Sequence, residues 1–282
     1  MPAARTSPRR FSRRTLLRTG TGLAAGLVVG EGAYGALYER HHLGVTRADL
    51  PCRGLPEALD GLRIGLITDT HHSAWTSLEF IAAAVDLVRE AAPDMVVLGG
   101  DYITRRSRHY TAQAAAPFAA LRPKEGLFGV LGNHDDNAGV PRVLRRAGVT
   151  VLDDARTRIT VRGERLDLVG LNYWTRDLAS LQRLARGRTP FTILLAHDPR
   201  RLYEAAALDI PLVLSGHTHG GQLALPVIGR LATDKYPVAQ GIGHERDTTL
   251  FVSRGVGTVL VPCRLNCPPE VAIVTLRRRR EA

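Results

Sequence analysis

From Leu62 onward the chain alternates between short unbroken apolar runs and stretches in which apolar residues return every three or four positions. The runs LRIGLITD (62–69), DMVVLGGD (94–101), GLFGVLGNHD (126–135), FTILLAHD (191–198) and PLVLSGH (211–217) each predict a strand. Between them, SLEFIAAAVDLVREAA (77–92), AAPFAAL (115–121), VPRVLRRAG (140–148) and a segment at about 176–186 predict helices. Short β runs, LDLVGL among them, lie within 150–171, and TLFVS (249–253) and VAIVTL (271–276) follow near the end. The alternation predicts a layered α/β domain, and late strands with no helix between them predict a second sheet. Residues 222–248 have no clear period; a loop that long is usually functional, which makes Lys235, Tyr236 and His244 candidates for shaping a pocket.

Residues 1–60 follow a different pattern. SRRTLLR (12–18) precedes a modest apolar stretch from Thr19 to about Ala36, rich in Gly, Ala, Leu and Val. A basic block, an arginine pair and then an apolar segment resemble a twin-arginine export signal. Arginine pairs recur at 105–106, 145–146 and 200–201, so position rather than the dipeptide carries this reading. Glu31 interrupts the apolar stretch, which is short for a spanning helix of roughly 20 residues. A cleaved leader, with Ala33-Tyr34-Gly35 as a small-x-small site, and an uncleaved anchor both remain open. The expected organisation is leader or anchor over 1–38, linker over 39–60 (with Pro51, Gly54 and Pro56), domain over 61–277 and basic tail over 278–282.

Charge changes the picture only after it is located. The net charge of +11 comes mostly from Arg5, Arg9, Arg10, Arg13, Arg14 and Arg18 near the start and the arginines at 277–280, so the body is close to neutral. A nucleic-acid groove is therefore not expected. Three cysteines, Cys52, Cys263 and Cys267, are too few for a disulfide framework. The C-x3-C pair has no second pair to complete a zinc site, so buried thiols or one disulfide are the expectation.

Five polar clusters close the apolar runs: Asp69-Thr70-His71, Gly100-Asp101, Gly132-Asn133-His134-Asp135, Ala196-His197-Asp198 and Gly216-His217-Thr218-His219. Taken singly, an Asp at a strand end is a cap or turn residue, and a lone His is a satisfied surface or core residue. Carboxyl ends of strands in an α/β sheet face a common crevice, so the five would converge. Asp, His and Asn without thiolate suit hard-to-borderline divalent cations and not a structural zinc finger. An extended x-His-x-His would point both rings of GHTH to one side.

The order DTH, GGD, GNHD, AHD, GHTH resembles the signature of the calcineurin-like metallophosphoesterases, over roughly residues 50–277. LPEALDGLRI (55–64), GHTHGGQ (216–222) and RLNCPPEVAIVTL (264–276) are similar to the YkuE/YaeI-like branch, whose members often carry twin-arginine or anchor leaders. The resemblance implies a four-layer sandwich of two mixed β-sheets flanked by helices. It implies two divalent ions, Mn, Fe or Zn: one held by Asp69, His71, Asp101 and His219, the other by Asp101, Asn133, His197 and His217, with Asp101 bridging. A water shared by the ions would attack phosphorus in line, and His134 would serve the leaving oxygen. Many relatives read G-D-x-x-D, whose second carboxylate orients that histidine; here position 104 is Thr, and Asp135 is the candidate substitute. The absence of GDxVDRG argues against a protein serine/threonine phosphatase, and no ligand-position Tyr points to a purple acid phosphatase.

The resulting expectation is an exported phosphodiesterase or pyrophosphatase acting on an envelope or nucleotide-linked substrate, at the outer face of the cytoplasmic membrane, in the cell wall or secreted. Its partners would be a phosphate-ester substrate, the twin-arginine export machinery and a membrane surface. The alternatives are a broad-range phosphomonoesterase and a non-catalytic metal-binding scaffold.

Overall fold

A computed structural model of the chain describes residues 13–225, 229–231 and 233–279. In chain order these form α1 (Arg13–Leu37), β1 (Gly44–Cys52), β2 (Arg63–Ile67), α2 (Leu78–Ala91), β3 (Met95–Leu98), α3 (Arg108–Thr111), β4 (Leu127–Gly129), α4 (Gly139–Arg146), β5 (Thr150–Val151) and β6 (Ala155–Val161). Then come β7 (Glu164–Leu171), α5 (Leu178–Ala185), β8 (Thr192–Ala196), α6 (Leu202–Ala207), β9 (Leu212–Ser215), β10 (Ala224–Leu225), β11 (Gly229–Arg230), β12 (Gly241–Glu245), β13 (Thr248–Val252) and β14 (Glu270–Arg278).

Two six-stranded mixed sheets carry the domain, ordered β1-β14-β2-β3-β4-β5 and β12-β13-β9-β8-β7-β6. Strands β2 to β5 run parallel, as do β7, β8, β9 and β13; β14 runs antiparallel to β2, and β6 and β12 turn back antiparallel at their sheet edges. The sheets face each other across one core. Ile64, Leu66, Val97 and Val274 of the first meet Leu168, Ile193, Leu195, Leu214 and Phe251 of the second. Alternate residues of the same strands point outward under helices. Ile67, Val96 and Leu98 pack with Ile81, Val85 and Val88 of α2, and Val169, Leu194 and Val213 pack with Leu181, Leu202 and Ala205 of α5 and α6. Helix α2 lies so close to β2 that a Cβ on Gly65 would sit 2.9 Å from Val88 Cγ1. The result is helix, sheet, sheet, helix, as the resemblance implied.

Three local expectations need correction. Residues 39–60 are not simply a linker: Gly44–Cys52 is an edge strand, paired in parallel with β14 along its whole length. The expected helix at 115–121 is a single 3-10 stretch, Ala116–Ala120, with Pro117 at its start. The basic tail begins later than 278, since Arg278 closes β14 and the Arg279 N–H reaches Cys52 O at 3.1 Å; residues 280–282 lie outside the described residues. All three cysteines are free thiols.

Helix α1 is 25 residues long, yet no described helix is long and apolar enough to cross a membrane. Its carboxyl end is built into the domain. Gly35 O accepts the Arg264 N–H at 3.1 Å, and the buried Glu39 carboxylate accepts the backbone N–H groups of Asn266 at 3.0 Å and Cys267 at 2.5 Å. The expected leader over 1–38 thus ends in contact with the fold; positions 1–12 of it lie outside the described residues.

Candidate metal centre

The carboxyl ends of β2, β3 and β4 from one sheet and of β8 and β9 from the other open onto the same edge. Each strand stops shortly before a polar side chain: Asp69 and His71, Asp101, Asn133, His197, and His217. The loops turn inward through left-handed backbone. Asp69 (φ 53°), His71 (46°), Asp101 (55°), His217 (73°) and His219 (51°) all sit where a Cβ is disfavoured. Such conformations cost of order 1–3 kcal/mol each and persist where the surroundings impose them. Five at one edge mark it as the place where folding energy is given up for geometry. A Cβ at Gly132 would overlap Asp101 Oδ1, so only glycine fits there.

Six of the seven expected ligands form two adjacent triads, Asp69–His71–His219 and Asp101–His197–His217, each with its donor atoms within 4.8 Å of one another. In the first, His219 Nε2 lies 3.3 Å from Asp69 Oδ1 and 3.1 Å from His71 Nε2. In the second, His197 Nε2 lies 3.1 Å from Asp101 Oδ2. The triads share a seam: the same Asp101 Oδ2 is 3.5 Å from His71 Nε2, and Asp69 Oδ1 is 3.8 Å from His197 Nε2. Contrary to an extended x-His-x-His, His217 and His219 serve different triads, because both have left-handed backbone. The seventh residue, Asn133, carries a buried Oδ1 with no hydrogen-bond partner, and the next residue donates its N–H to Asp101 Oδ1 at 2.8 Å.

The rings are held as metal-binding imidazoles are held, with one nitrogen engaged and the other free. His197 Nδ1 donates to Gly99 O at 2.7 Å, which turns Nε2 toward Asp101 Oδ2; that atom is buried without an aligned hydrogen bond despite its closeness to Asp101, and it offers a lone pair to a cation once its proton is displaced. Thr104 Oγ1 holds His71 Nδ1 at 3.2 Å, and Tyr236 Oη holds His217 Nε2 at 2.8 Å. Burial pushes His71 and His217 down to about 3 and His219 well below the ordinary value. Burial also opposes a charge on His197, but the carboxylates of Asp101 and Asp69 overcome it and push it up to about 10. Burial raises Asp69 to about 6, whereas Asp101, equally buried, is held below the usual range by His197 and its neighbours. Three neutral imidazoles, converging carboxylates and orphaned Nε2 and amide oxygen atoms suit divalent cations.

His134 sits beside the triads, its ring edge-on to His71 at 4.9 Å. Asp135 does not orient it. The Asp135 carboxylate instead accepts the backbone N–H groups of Asp101 (2.9 Å), Tyr102 (2.8 Å) and Gly132 (2.8 Å), stitching the loop after β3 to the loop after β4. Nor does Thr104 replace the missing carboxylate, since it is spent on His71. The backbone of Arg105 and Arg106 does the orienting: Arg105 N–H donates to His134 Nδ1 at 2.9 Å and Arg106 N–H to His134 O at 2.8 Å. With Nδ1 accepting, a neutral His134 carries its proton on Nε2.

Around the triads runs a rim not expected from the sequence, apart from Lys235 and Tyr236. Tyr173 packs its ring 5.2 Å from that of His217, and the exposed Trp174 follows it. Both stand just past the end of β7, where the strand-end rule applied to the other clusters also applies. Arg106 lies over the Trp174 ring at 4.9 Å and Arg176 over Tyr173 at 4.6 Å. Asp198, beside His197, pairs with Arg200 at 2.5 Å and Arg176 at 3.6 Å. Below the centre, the fully buried Arg264 donates to Gly257 O (2.6 Å), Arg254 O (2.9 Å) and Cys267 O (3.1 Å), bracing the wall behind His219. Lys235 stays on the rim, over the Tyr236 ring at 5.2 Å, while His244 lies on β12 with its Nδ1 3.3 Å from Thr249 Oγ1.

The family model described as calcineurin-like phosphoesterase matches residues 62–221. The chain is 31% identical to the uncharacterized metallophosphoesterase YkuE of Bacillus subtilis over 95% of its own length and 99% of that protein's. It is 33% identical to the phosphodiesterase YaeI of Escherichia coli over 76% of its length and 82% of that protein's. The NAD nucleotidase of Haemophilus influenzae superposes with a TM-score of 0.48 at 16% identity, over 69% of this chain and 45% of that one.

Proposed function

This chain belongs to the calcineurin-like phosphoesterase family and is a metal-dependent phosphoester hydrolase, and we propose that the bond it cuts is a phosphodiester or pyrophosphate. The observation that carries the reading is Asp101 Oδ2, one carboxylate oxygen within 3.5 Å of a histidine in each triad. Asp69, His71, Asp101 and His219 would hold one cation, and Asp101, Asn133, His197 and His217 the other, with Mn, Fe or Zn as the candidates. When bound, a cation pair neutralises phosphoryl oxygens and supplies an activated water. Two carboxylates among seven ligands leave most of the dication charge for the anionic substrate. His134 would turn its Nε2–H toward the leaving oxygen, in the tautomer that the Arg105 N–H fixes; it would stabilise the developing charge as a neutral donor, or protonate the oxygen as imidazolium once Nδ1 gives up that bond for a proton of its own.

The diesterase reading draws support from similarity to a relative named a phosphodiesterase. Hydrolysis of bis(p-nitrophenyl) phosphate by metal-loaded protein, abolished by chelation and restored by Mn, Fe or Zn, is the expected outcome. Activity on p-nitrophenyl phosphate alone would favour the phosphomonoesterase alternative, and none on either ester would favour a scaffold.

We also infer export to the cell envelope by the twin-arginine route. The motive is Arg13-Arg14 at the start of an apolar helix. Replacing both by Lys should leave the protein in the cytoplasm, and unchanged fractionation would sink this inference.

A further inference from the structure

Arg105 and Arg106 are consecutive non-glycine residues in left-handed backbone, at φ 52° and 55°. Glycine or asparagine would adopt that conformation with less strain. The backbone need is clear, because both N–H groups must turn toward His134. The need for two arginine side chains is not met by that clamp. Both are exposed, and neither has a carboxylate partner among the described residues. The contrast with the opposite rim is informative: there Arg176 and Arg200 share Asp198.

We propose that Arg105 and Arg106 form an anion subsite for the second phosphate of a pyrophosphate-linked substrate, next to the triads that would take the scissile phosphate. Arg106 is preorganised for this. Its guanidinium carbon lies 4.9 Å from the centre of the Trp174 ring, and no carboxylate among the described residues engages its N–H groups, so they can donate to an anion. Trp174 is itself ordered. Its N–H donates to Asn172 Oδ1 at 2.8 Å, Asn172 is tied to Asp153 at 2.7 Å, and Thr175 is tied to Asp154 at 2.5 Å. The Arg106–Trp174 pair therefore spans from the loop that clamps His134 to the turn that packs on His217, across one side of the site's mouth. A lone phosphodiester has its charge met at the triads. An adjoining phosphate needs further cationic donors, and these two are the unpaired ones beside the leaving-group histidine.

This assignment rests on the hydrolase reading only in placing the scissile phosphate, so its test reads binding. Methylenediphosphonate, which cannot be hydrolysed, and orthophosphate are titrated calorimetrically into metal-loaded wild type and an Arg105→Ala/Arg106→Ala variant. The diphosphonate affinity should fall ~10–100-fold, orthophosphate affinity should change less than about threefold, and metal content should stay the same. Trp174→Ala, which removes only the support, should show the same selectivity at about two- to fivefold. Equal losses for both ligands, or no loss for either, would overturn the subsite. A chain that binds diphosphonate through these arginines but hydrolyses no diester would refute the proposed reaction and keep the subsite.

Discussion

The triads and the rim are immediate neighbours built on opposite rules. The triads are buried, turned by left-handed backbone, and held by hydrogen bonds to main-chain carbonyls and hydroxyls. The rim is made of arginines lying over Tyr173, Trp174 and Tyr236, of which Arg176 and Arg200 are paired with Asp198 and Arg106 has no carboxylate among the described residues. The first arrangement fixes what reaction is possible, because its donors cannot be moved without unsatisfying buried groups. The second can change by single surface substitutions at little cost in stability, and it determines which ester is presented.

The sharpest way to break that contrast is His134, which stands on the boundary. His134→Ala should keep metal and thermal stability and lower turnover by ~10²–10⁴, with a smaller loss for nitrophenolate than for an alkoxide leaving group. An equal loss across leaving groups would replace the acid role by an electrostatic one. Next in size is pH. Metal-free His197 is raised to about 10, so near neutrality it binds a proton that an incoming cation must displace. Metal affinity, measured by chelator competition at pH 7, 8 and 9, above the range in which Asp69 takes up a proton, should rise by ~tenfold per unit for that one proton; a flat profile would contradict the Asp101–His197 pairing. Tyr236→Phe removes the hydroxyl on His217 Nε2 and should cost ~10-fold in metal affinity or turnover, which kinetics at limiting metal would reveal.

The smallest expected effect tests whether α1 belongs to the domain. Glu39→Ala leaves the buried Cys267 N–H and the part-buried Asn266 N–H unpaired and should lower stability by ~1–3 kcal/mol in denaturant titrations, with little change in turnover of the protein that remains folded. No change in stability would mean that the helix end is only laid against the fold.

Legibility in the sequence follows the same division. Strands β2, β3, β8 and β9 are buried on both faces, so they read as unbroken apolar runs whose polar ends stand out. The triad residues are legible for that reason, each at the end of a run. Strand β1 is hidden because GVTRADLPC lies at a sheet edge, buries fully only Leu50 and Cys52, and pairs with β14 at the far end of the chain. Strand β12 is hidden for the same reason, lying at a sheet edge with only Gly243 buried. The orienting role expected of Asp135 fails because spacing says nothing of where a carboxylate points, and main-chain N–H groups claim it. Arg105 and Arg106 are invisible among the many basic residues of the chain. Only their backbone conformation and their lack of acidic partners distinguish them. Tyr173 and Trp174 carry a signal only in their place just past the end of β7, since aromatic side chains are not metal ligands of the kind that close the other strands.

The central claim, that one carboxylate joins two metal positions, is tested most directly by counting metal in wild type and Asp101→Asn. Elemental analysis should find two ions per chain in the first. The variant should lose occupancy at both positions, because Asp101 Oδ2 faces a histidine of each triad. Two full-occupancy ions in Asp101→Asn, or a single ion in wild type, would contradict it.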